Sequence, residues 1–169
     1  MNKYPQRKSP RYAVLDYNEG VYFITICTQD KVHYFGEIVD QKMVFTPLGK
    51  FVDDELQNLG SHYDNVEVTV YTVMPNHIHA IIYIDTINKH IPVAEDRVED
   101  KLNSTSRTLL SSVVSSFKAG ITRFANRNRI SFKWQSRYYD HTIRNEKNAT
   151  AIGEYIMNNV AKWHYDEYK

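Results

Sequence analysis

Residues 73–82 read VMPNHIHAII, an apolar run interrupted by two histidines one residue apart. Successive side chains of an extended strand alternate faces, so His77 and His79 share one face and Ile78 takes the other. Pro75-Asn76 before the run and Asp85 after it bound an Ile-rich strand of ordinary length over 77–84. VEVTVYTVM (66–74) reads as a second strand that pairs with it across Pro75-Asn76. Two imidazoles side by side can ligate one divalent metal through neutral ring nitrogens. They can equally be two hydrogen-bonded core histidines, and the spacing alone fits both.

On the N-terminal side, VYFITICTQ (21–29) is β-branched and aromatic, a strand, and HYFGEIVDQKMVFT (33–46) reads as a hairpin turning near Asp40-Gln41. Thr46 then suits an N-cap and Pro47 the first position of a helix to about Leu59, ended by Gly60. On the C-terminal side, the polar, acidic stretch 85–105 reads as a long exposed loop. A helix is predicted from about Ser106 to Asn126, an extended segment within 131–144, and a last helix over 146–163 with Asn145 as its N-cap. The order predicts an α+β fold, a single antiparallel sheet with helices on one face, in a ferredoxin-like sandwich with the histidines on a central strand.

A chain of 169 residues with 42% hydrophobic and 24% charged content suits a single domain with a full core. Its one cysteine, Cys27, excludes an internal disulfide and fits a reducing compartment. The basic, polar N-terminus is no signal peptide, and no apolar stretch reaches the length of a membrane span, so a cytoplasmic location is expected. Net charge is only +1, but the charges are segregated. Lys118, Arg123, Arg137 and Arg144 belong to a basic stretch over 107–147, and the arm at 1–20 adds Lys3, Arg7, Lys8 and Arg11. Such segregation suits a polyanion, or else a solvated helix face and a disordered arm. Aromatic residues between the basic ones favour single-stranded nucleic acid, whose bases stack on rings.

In the last helix, Tyr155 and Asn159 are four residues apart and share one face. Asn159 offers an amide oxygen to a metal, and a tyrosine oxygen beside a metal suits attack on a phosphodiester. A chance surface pair would show the same spacing.

Three segments together carry more: MPNHIHAII (74–82), WQSRYYDHTIRN (134–145) and YIMNNVAKW (155–163). In these motifs and in element order over residues 15 to 165, the chain resembles the single-tyrosine HUH transposases, most closely their REP-associated tyrosine transposase branch. The resemblance implies that His77 and His79 are metal ligands, Tyr155 the nucleophile and Asn159 the third ligand, with Mg2+ or Mn2+ as the ion. It implies nicking of single-stranded, hairpin-containing DNA through a 5′-phosphotyrosine link, followed by strand transfer. Many members are dimers, so a homodimer is one expected assembly. Arg7, Lys8, Arg11, Lys118, Arg123, Arg137 and Arg144 are the expected DNA-binding residues. The branch commonly has Asn-Pro where this chain has Asn159-Val160. The broader family carries its tyrosine on a helix after the histidine strand, where the helix expected at 106–126 has none. Tyr138 and Tyr139 are the fallback nucleophiles. A nucleic-acid-binding module without chemistry is the alternative function.

Overall fold

The computed structural model describes residues 20–85, 98–166 and 168. The expected basic arm, with Arg7, Lys8 and Arg11, lies outside these residues, as does most of the expected loop at 85–105.

Among the described residues, six strands and three α-helices follow in the order β1 (Gly20–Cys27), β2 (Gly36–Val39), β3 (Lys42–Phe45), α1 (Pro47–Gln57), β4 (Val66–Val73), β5 (His77–Ile84), α2 (Val98–Arg127), β6 (Tyr139–Thr142) and α3 (Glu146–Asn158). Four strands form an antiparallel sheet in the order β4-β5-β1-β6. Setting aside the separate β2–β3 hairpin, this is a β-α-β-β-α-β chain with its first and third strands at the centre, the ferredoxin-like arrangement.

Local chemistry sets the boundaries. Asp40 and Gln41 both have positive φ, at 48° and 58°, as a tight two-residue hairpin turn requires. Thr46 Oγ1 accepts from Gly49 N at 3.0 Å, Pro47 opens α1, and Asn145 Oδ1 accepts from Asn148 N at 2.9 Å to start α3. The long helix α2 begins at Val98, earlier than expected, because its first turns are polar and carry no apolar period to read.

β5 is buried on both faces. Ile78, Ala80, Ile82 and Ile84 join Tyr22, Ile24 and Ile26 of β1 in the main core, covered by Leu48, Val52 and Leu56 of α1 and by Leu110, Val113, Phe117 and Ile121 of α2. Ile81 and Val21 point the other way, to a smaller cluster with Val70, Ile143, Ala149 and Ile156. One extra residue in β4 between Val68 and Val70 lets Val66 and Val68 share a face with Tyr71 and Val73 despite the odd spacing. The sequence pattern predicts the helices on one face. Instead α1 and α2 cover one face and α3 the other, because α3 has its own apolar stripe and β5 offers a second apolar side. The histidines are on the α3 side.

Candidate active site

The β1–β5 register places Thr25 opposite His79 and Cys27 opposite His77. Directly opposed residues of an antiparallel pair point to the same face, so these four side chains form one patch beneath the end of α3. Both histidines are fully buried. His79 Nδ1 lies 2.8 Å from Thr25 Oγ1, and His77 Nδ1 lies 2.7 Å from Asn76 Oδ1. Asn76 Nδ2 donates to Lys31 O at 3.2 Å and Tyr168 O at 2.9 Å. The amide oxygen of Asn76 is therefore the acceptor toward His77, which fixes the proton on His77 Nδ1 and leaves a lone pair on Nε2.

The two Nε2 atoms converge to 3.1 Å. Burial lowers the His77 pKa to about 2, with the neighbouring His79 and Lys31 adding to it, and burial lowers that of His79 to about 3. Both rings are thus neutral near pH 7, the form that ligates metal. Two nitrogens each roughly 2.0–2.2 Å from one ion, at about a right angle, stand about 3 Å apart.

Tyr155 reaches the pair from α3, its hydroxyl 3.2 Å from His79 Nε2. It is 43% exposed, so solvent reaches the side chain. Phe23 packs beneath, its ring centroid 5.4 Å from His79 and 6.4 Å from Tyr155. Asn159 is buried in the turn that ends α3. Tyr155, Asn159, Lys162, Tyr165 and Asp166 line a cavity of about 290 Å³.

Among the described residues, the buried side-chain oxygens with no hydrogen-bond partner are Asn159 Oδ1 and Asp166 Oδ2. Buried polar atoms are normally paired; here Asp166 Oδ2 lies 3.6 Å from His77 Nε2, and Asn159 shares the cavity with Asp166. Ligand atoms of His77, His79 and Asp166 lie within 4.8 Å of one another. The residues present fit a divalent cation.

His77, His79, Tyr155 and Asn159, the four residues expected from the sequence, thus gather at one place. The sequence does not single out Thr25, Asn76, Phe23, Lys162 and Asp166. For Lys162 there was a signal, since 155, 159 and 162 keep helical spacing, but α3 ends at Asn158 and a 3-10 segment at Trp163–Tyr165 intervenes before Asp166. The basic residues are dispersed. Lys118 donates to Gln135 O at 2.8 Å and lies 5.9 Å from the Trp134 ring centroid, and burial lowers its pKa. Its ammonium fastens the 134–136 segment. Arg123 lies on α2, across the sheet from the histidines. Arg137 and Arg144 are exposed, flanking the edge strand β6. Trp134 packs against Phe35, Phe117 and Phe132, as core rather than as a platform. No helix among the described residues is long and apolar enough to cross a membrane.

The sheet order defines a ferredoxin-like α+β protein. The chain is similar to a REP-associated tyrosine transposase solved bound to a REP hairpin, with a TM-score of 0.56 and 17% identity over 99% of this chain and 77% of that one. The resemblance read from the three motifs therefore holds in the fold. The chain belongs to one family with an uncharacterized protein of Haemophilus influenzae (strain KW20 / Rd), to which it is 38% identical over 166 residues, 95% of this chain and 92% of that protein. No family model matches the chain.

Proposed function

We propose that the protein is a metal-dependent, single-strand DNA nickase and strand transferase that uses Tyr155 as its nucleophile. The observation that carries this reading is the contact of Tyr155 with the histidine pair: its hydroxyl is 3.2 Å from His79 Nε2, which is 3.1 Å from His77 Nε2.

His77 and His79 would hold a Mg2+ or Mn2+ ion through Nε2, with Asn159 adding its orphaned oxygen. When bound, such an ion would supply Lewis-acid polarisation of the scissile phosphate. Asn76 and Thr25 hold the two rings from behind, fixing where the nitrogens point. Tyr155 attacks phosphorus, the Tyr–O–P bond forms and the bond to the 3′-oxygen breaks. The phenol proton passes to solvent and the leaving 3′-oxygen takes one up, so the step is proton-neutral. The products are a 5′-phosphotyrosine and a free 3′-hydroxyl, and attack by another 3′-hydroxyl reverses the chemistry onto a new strand. Lys162, exposed at the cavity, is placed to meet a phosphate oxygen. Arg137 and Arg144 supply positive charge along the adjoining edge. The similar transposase holds a REP hairpin in its solved structure, and this supports hairpin-containing DNA as the partner here.

The test is a covalent-adduct assay with labelled hairpin-containing single strands and Mn2+ or Mg2+. The wild-type chain gives a band that resists denaturation. Tyr155→Phe is expected to lose it while keeping DNA binding within a few-fold. An adduct that persists in Tyr155→Phe moves the nucleophile elsewhere, with Tyr139 next in line. Binding without an adduct across several hairpin families, with affinity independent of metal, favours a module without chemistry.

A further inference from the structure

Asp166 is not one of the ligands that the family resemblance implies, yet the fold carries it into the site. Its Oδ2 lies 3.6 Å from His77 Nε2, and its side chain is almost fully buried. The hydrogen bonds of Asn76 leave a lone pair on that nitrogen, so an imidazole lone pair and a carboxylate oxygen face each other with no proton assigned between them. A cation lying among these atoms would turn this contact favourable. The carboxylate is also held in place. Asp166 Oδ1 accepts from Tyr168 N at 2.7 Å, and Tyr168 O accepts from Asn76 Nδ2 at 2.9 Å. The Tyr168 ring lies over both histidines, with centroids 5.1 Å from His77 and 5.5 Å from His79.

We propose that Asp166 is a ligand of the same ion, so that the centre is two imidazoles, an amide oxygen and a carboxylate carried by the C-terminal turn. This rests on the reading of the histidine pair as a metal site. Two imidazoles and an amide bring no negative charge. A carboxylate adds one, raises affinity for a hard divalent ion and completes the two-histidine, one-carboxylate set that leaves positions open for substrate oxygens. Asn76 then has a double duty: one end orients His77, and the other ties down the turn that bears Asp166.

The test measures Mn2+ binding to the full chain without DNA, by titration calorimetry and by the loss of the free-ion EPR signal. Asp166→Asn keeps the shape and the acceptor for Tyr168 N, so near-ultraviolet circular dichroism should match wild type. We expect Mn2+ affinity to fall by at least about tenfold, the lower end of what losing even an outer partner of a metal site costs. His77→Ala should lose binding. Equal or tighter binding by Asp166→Asn overturns the proposal and leaves the histidine site standing. If wild type itself binds no Mn2+, the metal reading falls and this one with it.

Discussion

Asn76 makes three hydrogen bonds with one amide, and each serves a different part of the site. Its oxygen meets His77 Nδ1, and its nitrogen meets the carbonyls of Lys31 and Tyr168. Aspartate there would lose the donor and add a charge. Alanine would leave a buried imidazole N–H and two carbonyls without their partner. Asn76→Ala is therefore expected to cost about 1–3 kcal/mol in urea unfolding, the usual penalty for orphaning a buried polar group. It should lower metal-dependent cleavage by more than that loss explains, because His77 is then free to turn. Cleavage at the wild-type rate would show that the ring is held by packing alone, for instance by Trp163, whose centroid is 6.2 Å from His77.

The helix α3 carries Tyr155 and leads into Asn159, yet it rests on a cluster of only a few buried residues, with Ile156 fully buried at its centre. Ile156→Ala is expected to destabilise by about 2–4 kcal/mol through lost burial and a cavity. Its effect on the Tyr155 adduct should exceed that of Val113→Ala in the larger core, measured at equal folded fraction, since α3 has little else to locate it. Equal losses would mean that the contacts of α3 with its own turn suffice. The histidine strand and this helix were the legible parts of the sequence. Alternation put His77 and His79 on one face, and a four-residue spacing put Asn159 above Tyr155. The caps at Thr46 and Asn145 were legible as well, because capping is written within three residues. Asp166 was not, since its approach to His77 depends on a turn after α3 and on a bond from a distant asparagine. The start of α2 was hidden by a polar first stretch. The side taken by α3 was hidden too: an apolar stripe shows that a helix packs, not on which face of a sheet.

Two uncharged histidines buried between a sheet and a helix tie the stability of the whole protein to pH. Their folded pKa values are depressed to about 2 and about 3, while an unfolded histidine titrates near 6.5. Between those limits the unfolded chain binds more protons than the folded one, so stability rises with pH. The contribution is complete above about pH 6.5 and is lost as the pH falls towards about 3. Each ring can add a slope of up to about 1.4 kcal/mol per pH unit. Urea midpoints measured at pH 7, 6 and 5 should fall in that order, more steeply than in a His79→Gln variant. A slope unchanged by that substitution would place the acid sensitivity in other groups.

Cys27 gives the site a built-in reporter. It is the sole cysteine of the chain, half-buried, and lies opposite His77 in the β1–β5 ladder. Burial raises its pKa, with Lys31 opposing and Asp166 adding to the rise, so the thiol is slow to react. Asp166 belongs to the turn that Asn76 holds over the histidines. The rate at which a thiol reagent modifies Cys27 should therefore count how often that turn lifts. Titrating Mn2+ should slow the reaction if the ion fastens the turn, and a rate that ignores Mn2+ would show that the turn moves independently of it.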